Sequence, residues 1–310
     1  MIGKYLLFAL LFFSGCATDP AKPRIQTIKD NVMAKQENVV VMAHRGFRGI
    51  APENTLLAAL KGYESGADYW ELDVAASADG TLVVLHDDSL KRTTDAASLY
   101  PSRSPWSVYS FTLAEIRSLS AGAWYETTDP FKQIAAGRVG AKDLVAFQSL
   151  GVPTLEEALL LTKDKGWKVN VEIKDATGEA CDGWIVENTS AMIRSLDMAG
   201  SVVVSSFNHE YLLRLKAAAP EIQRAALIDK PIADPIALLK RLEAVALNPN
   251  YKYLDEKTVR EVRSAGFHVY VWTPNKKTDM ERLVAWGVTG LITDFPDRAL
   301  EILGRPAADR

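Results

Sequence analysis

Charged and titratable residues gather at the ends of short apolar runs. Glu71 and Asp73 lie near the end of the run 69–74, and Glu172 and Lys174 end the run 167–174. Side chains alternate along a strand, so Glu71 and Asp73 share one face about Leu72, and Glu172 and Lys174 share one about Ile173. Carboxylates aimed together into an interior are costly unless something neutralises them. Glu71, Asp73 and Glu172 form an all-oxygen set suited to Ca²⁺ or Mg²⁺, with no thiolate nearby to suit a softer ion. The competing reading is an interior ion-pair network with Arg45 and Lys174; three carboxylates in matched positions favour the cation. Beside such a cation, Arg45 and Lys174 supply the donors and charge that fit a phosphate group. Two of the four histidines, His44 and His86, also follow apolar runs. An imidazole accepts or donates a proton near neutral pH, so the pair could act as base and acid across a phosphodiester. His209, at an expected helix start, and His268, inside an expected strand, lack such company.

Strand-like runs at 39–43, 69–74, 81–86, 167–174, 202–206, 224–228, 244–247, 267–272 and 290–293 must position these groups. Between most of them lie amphipathic segments of helical length. Leu56, Leu60 and Tyr63 fall at i, i+4 and i+7, and Thr154 with Glu157 forms a capping-box pattern before residues 155–161. This is a βα alternation with one run more than a closed (β/α)₈ barrel uses. Only residues 75–80 separate the second and third runs, whereas a parallel crossover needs about a dozen. With Asp79-Gly80 as a turn, these two runs must pair as a hairpin. The expected fold is therefore α/β, a (β/α)₈ TIM-type barrel with a β-hairpin and an insertion after the second strand. Connections that follow barrel strands build the active face, so the hairpin delivers His86 there.

Residues 88–151 are too long for a simple loop and read as an insertion folding over the mouth, with one helix at 112–119 marked by the Thr112/Glu115 capping box. Its Trp106, Tyr109, Phe111 and Trp124 read as a folded apolar patch, the alternative being a rim that contacts lipid.

The beginning of the chain has another purpose. Lys4, the apolar run 5–13 and Ser14-Gly15-Cys16 make a segment shorter than the roughly 18–20 residues that span a bilayer, which fits an export signal. It resembles a bacterial lipoprotein signal over 1–15. Cys16 would then carry lipid, residues 16–36 would form a tether, and the barrel would occupy 37–304. The expectation is an exported cell-envelope lipoprotein, periplasmic or on the surface, held to the membrane through Cys16, or a secreted protein if Cys16 is not lipidated. The only other cysteine is Cys181, so no disulfide framework is expected. With 36 Lys+Arg against 39 Asp+Glu in 310 residues, the net charge of −3 gives no broad positive field to draw nucleic acid.

Taken in order, His44-Arg45-Gly46, Pro52-Glu53-Asn54-Thr55, Glu71-Leu72-Asp73-Val74, Asp79-Gly80, Leu85-His86-Asp87 with Arg92-Thr93-Thr94, Val152-Pro153-Thr154-Leu155, Glu172-Ile173-Lys174, Ser206-Phe207, Val271-Trp272-Thr273 and Thr293-Asp294-Phe295-Pro296 resemble the glycerophosphodiester phosphodiesterase family across about residues 38–300. The resemblance implies a TIM-type barrel that hydrolyses a glycerophosphodiester to sn-glycerol 3-phosphate and an alcohol with one divalent cation, Ca²⁺ or Mg²⁺. It implies His44 and His86 as the acid/base pair, Arg45 and Lys174 at the phosphate, Glu71, Asp73 and Glu172 as metal ligands, and Trp272 lining the substrate pocket. Asn54 or Thr55 reads as a helix cap and Gly46 as a turn residue. A phosphodiesterase for lysophospholipids would use the same centre with an added acyl groove. A non-catalytic surface-binding lipoprotein is the reading from a different class, but no ligand or histidine of the pattern is missing.

Overall fold

The computed structural model describes Met1 and residues 39–305. Residues 2–36 of the expected signal and tether, with Cys16, lie outside the described residues. Among the described residues, nine strands form one sheet: β1 (Val40–His44), β2 (Tyr69–Ala76), β3 (Leu82–Val84), β4 (Lys168–Ile173), β5 (Val202–Ser206), β6 (Gln223–Ile228), β7 (Ala246–Pro249), β8 (His268–Trp272) and β9 (Gly290–Thr293). All but β3 are parallel, and β1 pairs with both β2 and β9, which closes an eight-stranded barrel. Strand alternation divides its apolar residues in two. Met42, Val203, Ala225, Ala246, Tyr270 and Ile292 fill the interior, while Val41, Leu72, Val171, Val204, Leu247, Val271 and Leu291 join the main core shared with the surrounding helices. Fully burying an aliphatic or aromatic side chain of this kind contributes roughly 1.5–3 kcal/mol.

The helices start where side chains can take up free backbone N–H groups. Thr55 accepts from Ala58 N at the head of Leu56–Glu64, and Thr154 and Glu157 complete a capping box at Leu155–Asp164. The seventh strand lies two residues beyond the expected 244–247, because the ladder with β6 runs on through Leu227↔Asn248 and Ile228↔Pro249.

β2 and β3 form the expected antiparallel hairpin, with Val74 opposite Val84 and Ala76 opposite Leu82. Its turn is tied by Thr81 N donating to Ser77 Oγ at 3.0 Å, with Gly80 at φ 86°. β3 stops at Val84, yet Leu85 N still donates to Asp73 O at 3.0 Å, so the chain stays bound to β2 up to the residue before His86.

The insertion contains the expected helix, Leu113–Arg117, with both halves of its capping box formed. It also contains Ala96–Leu99, Ala123–Thr128 and Ala141–Phe147, which no comparable sequence pattern announces. Leu90, Phe111, Ile116 and Leu119 bury against Ala75, Val83 and Leu85 of the hairpin, with Trp106 and Tyr109 packed on them. A second cluster joins Tyr125 and Phe147 to Ala51 and Ala58, with Trp124 beside it. These aromatics are thus parts of folded cores. Tyr125 Oη donates to Gly49 O at 2.7 Å and to Arg48 O at 3.0 Å, which fixes the turn after β1.

Candidate active site

The turn after β1 folds back on the barrel. Gly46 takes φ 78°, and a Cβ there would meet Ala58 backbone atoms at 2.4–2.6 Å, so glycine is required twice over. Arg45 and Asn54 also have positive φ, 53° and 58°, and Asn54 N donates to Arg45 O at 2.9 Å. The result aims both side chains at the acidic residues of β2. Asn54 Nδ2 donates to Asp73 Oδ2 at 2.8 Å, Arg45 Nε lies 3.3 Å from the same oxygen, and Arg45 N donates to Glu71 Oε2 at 2.9 Å. Of the two residues expected to cap the helix, Thr55 does so, and Asn54 instead orients a carboxylate.

Glu71, Asp73 and Glu172 are buried and each offers an oxygen within 4.8 Å of the others. Register explains the meeting: β2 and β4 run side by side with Asp73 opposite Glu172. Lys174 Nζ sits 2.7 Å from Glu172 Oε1 and 3.6 Å from Asp73 Oδ1. The acids are not electrostatically alike. Burial, then Asp73 and Glu172, pushes Glu71 well above the usual carboxylate range; burial and Asp73 also raise Glu172. Burial acts in the same sense on Asp73, but Arg45 and Lys174 overcome it and hold that carboxyl below its ordinary value. The donors fit a hard divalent cation: all are carboxylate oxygens, and Asp73 Oδ1 is buried without a hydrogen-bond partner.

Each candidate imidazole is held from behind by a carboxylate. His44 Nδ1 is 2.7 Å from Asp294 Oδ1, and Asn275 Nδ2 donates to the other Asp294 oxygen at 2.7 Å. His86 Nδ1 is 2.7 Å from Asp87 Oδ1, and Arg92 grips that carboxylate through Nε and Nη2 at 2.6 and 2.9 Å. An Nδ1–H bonded this way leaves Nε2 as the free proton acceptor. His44 Nε2 lies 3.9 Å from Glu71 Oε2. Burial, followed by the charge of Arg45, lowers His44 to about 4, so this ring is neutral at pH 7.

His44, Arg45, Glu71, His86 and Glu172 line one cavity of about 150 Å³ with Asn170, Phe207, Leu227, Trp272, Thr273 and Ile292. One wall is polar and the other apolar, with Phe207 set edge-on to Trp272 at 5.6 Å. Asp73 and Lys174 do not line it but touch residues that do. No residue of 88–151 lines it either. The insertion expected over the mouth instead packs on the hairpin and the β1 turn, since its buried apolar residues find Ala75, Val83, Leu85, Ala51 and Ala58 there.

In the sequence Glu53, Asp87, Arg92 and Asp294 carry no chemical role of their own, and Arg48 falls in no motif. Glu53 is buried and carries three guanidinium contacts: Arg45 Nη1 at 2.7 Å, Arg92 Nη2 at 2.7 Å and Arg48 Nη2 at 3.2 Å. Burial alone would raise this carboxyl, but the arginines hold it well below its ordinary value. A glutamate in the short turn after His44-Arg45-Gly46, otherwise mostly small, apolar or basic, was the available signal.

Acids, bases and imidazoles from separate strands, converging at the strand ends of a closed parallel barrel, place the chain among the (β/α)₈-barrel enzymes. Residues 44–298 match the family model described as Glycerophosphoryl diester phosphodiesterase family. The chain is 34% identical over 264 residues, 85% of its length and 97% of the relative's, to a glycerophosphodiester phosphodiesterase of Caldanaerobacter subterraneus. It is 33% identical over 306 residues, 95% of its length and 96% of the relative's, to a glycerophosphodiester phosphodiesterase of Bacillus subtilis. A solved phosphodiesterase of Oleispira antarctica, in complex with the product sn-glycerol-3-phosphate, superposes with a TM-score of 0.70 at 28% identity, covering 87% of this chain and 99% of that one. The chain belongs to the glycerophosphoryl diester phosphodiesterase family and is a phosphoric diester hydrolase.

Proposed function

We propose that the protein hydrolyses glycerophosphodiesters to sn-glycerol 3-phosphate and an alcohol, using His44 and His86 as the acid/base pair and a divalent cation, Ca²⁺ or Mg²⁺, held by Glu71, Asp73 and Glu172. The observation that carries this reading is the shared cavity, where two carboxylate-backed imidazoles stand beside a cluster of three acids. Arg45 has a guanidinium beside Asp73, and Lys174 an ammonium beside Glu172, from which to meet the phosphate oxygens. Phe207, Leu227, Trp272 and Ile292 form an apolar wall against which the glycerol carbons pack. One imidazole takes a proton from the nucleophile, and the other gives one to the departing alkoxide. The same pair serves whether water or the neighbouring glycerol hydroxyl attacks. When bound, the cation supplies positive charge that attracts the phosphate and offsets charge developing on its oxygens. The absence of insertion residues from the cavity lining supports a small substrate over a lysophospholipid needing an acyl groove beneath the insertion.

Purified protein given glycerophosphocholine with Ca²⁺ or Mg²⁺ is expected to release glycerol 3-phosphate and to stop when EDTA is in excess. No release with either ion, or undiminished release in EDTA, would contradict the reading. The lipid anchor on Cys16 and the cell-envelope location are proposals resting on the sequence of the first sixteen residues alone. Mass analysis of the mature N-terminus tests them.

The acidic cluster also yields a stability prediction. A carboxyl raised by folding contributes stability fully at pH below its unfolded value, and that contribution is lost as pH rises through the folded value. Glu71 is such a group, so without a cation its ionised form costs stability above pH 4.5. Glu71→Gln removes the charge and keeps an acceptor for Arg45 N–H. In EDTA at neutral pH its Tm is expected to exceed wild type by about 2–4 °C per kcal/mol relieved, while the Tm increase on adding Ca²⁺ shrinks. A lower Tm in EDTA with an undiminished Ca²⁺ response would show that Glu71 is neither strained nor a ligand.

A further inference from the structure

We infer that Glu53 is a positioning residue that couples the two imidazoles, because a continuous chain of alternating charges joins them through its carboxylate. His44 Nδ1 meets Asp294 Oδ1 at 2.7 Å, and Arg48 Nε lies 3.5 Å from that same oxygen. Arg48 Nη2 reaches Glu53 Oε2 at 3.2 Å. From the other side, Arg92 Nη1 and Nη2 donate to Glu53 Oε2 and Oε1 at 3.0 and 2.7 Å, and Arg92 Nε donates to Asp87 Oδ2 at 2.6 Å. Asp87 Oδ1 then meets His86 Nδ1 at 2.7 Å. The order is imidazole, carboxylate, guanidinium, Glu53, guanidinium, carboxylate, imidazole.

Glu53 does not line the active-site cavity, so it acts through others. An imidazole's tautomer and tilt follow the carboxylate behind it; Arg92 grips Asp87 through two hydrogen bonds, whereas Asp294, hydrogen-bonded by Asn275, meets Arg48 as an ion pair at 3.5 Å. Here both guanidiniums share one anion. Without it, Arg45, Arg48 and Arg92 are three cations facing one another. Arg92, whose side chain is 42% exposed, is the freest to swing into solvent and release Asp87. One side chain in the β1 turn thereby sets the orientation of a ring on β1 and of a ring delivered by the β2–β3 hairpin. Tyr125 anchors the turn at Arg48 O and Gly49 O, which gives the insertion a part in holding this chain.

The inference deepens the acid/base reading, and its test does not depend on turnover. The chain has only four histidines, so ¹⁵N-histidine NMR can follow the Nδ1 and Nε2 signals of each ring in the whole protein. Arg48→Met is expected to move the His44 signals and leave those of His86 in place. Arg92→Met is expected to do the reverse, and Glu53→Gln to move both. In steady-state assays each variant is expected to lose kcat by roughly 10–100-fold, as for other outer partners of functional groups, with KM little changed. If Glu53→Gln fails to fold, Glu53→Asp, which keeps the charge but shortens its reach to Arg48 and Arg92, takes its place and must move both rings. Overturning results are an arginine variant that leaves its ring unmoved, or a folded Glu53→Gln protein that is slow while both rings are unaltered. The latter pattern would place the effect of Glu53 on Arg45 alone. Full turnover by His44→Ala and His86→Ala would remove the acid/base reading and leave the ring-coupling test standing.

Discussion

Replacing either His44 or His86 with alanine lowers kcat for glycerophosphocholine by about 10²–10⁴-fold, the range typical of a lost general acid or base. KM is expected to change far less, because in the proposed reading the phosphate still meets Arg45, Lys174 and the cation site. The fold survives both changes. Asp294 keeps the hydrogen bond from Asn275 when the His44 ring is gone, and Asp87 keeps both of its bonds from Arg92 when His86 is gone. Neither carboxylate is left as an unpaired buried charge, which is the usual route by which removing one partner destabilises a protein. A circular dichroism melt beside the kinetics separates lost chemistry from lost structure. Wild-type turnover in either variant would exclude that ring from the reaction.

Asp73→Asn has a different signature. Asp73 is the acid that Arg45 and Lys174 keep ionised, and its Oδ1 is the buried oxygen without a hydrogen-bond partner. Losing a proposed ligand is expected to cost cation affinity and turnover more than the roughly 10–100-fold seen for outer partners. The substitution also deprives Arg45 and Lys174 of their shared counter-charge, and breaking a buried pair this way costs about 3–5 kcal/mol. Glu71 and Asp73 are two residues apart on one strand, yet their neutral variants should move cation-free stability in opposite directions. Thermal melts in EDTA and a Ca²⁺ titration followed by calorimetry check both effects. Equal stability shifts of the same sign in the two variants would contradict the charge distribution described here.

The barrel was legible because its logic is local. Short apolar runs, capped helices such as the one after Thr154, and the six-residue gap before Thr81 were enough to place β3 in a hairpin and leave eight parallel strands. The acid cluster was legible for the same reason: strand alternation puts Glu71 with Asp73, and Glu172 lies on the neighbouring strand. Contacts made by closure of the barrel were hidden. His44 and Asp294 are 250 positions apart and meet only because β9 pairs with β1. Asn54 looked like a cap since its side chain suits one, but its positive φ turns the amide toward Asp73, and nothing local fixes that. The insertion shows a similar limit. Its apolar residues announce burial without naming the surface they cover, which proved to be the hairpin and the β1 turn.

The measurement that bears most directly on paired acid/base chemistry compares His44→Ala and His86→Ala on glycerophosphocholine and on a glycerophosphodiester whose leaving group is 4-nitrophenol. A nitrophenolate departs without being protonated, so the variant lacking the acid should recover to within about tenfold of wild type on the second substrate. The variant lacking the base should stay slow on both. Recovery of one variant and not the other is the predicted result, and it assigns each ring its part. Recovery of both, or of neither, would contradict a division of labour between His44 and His86.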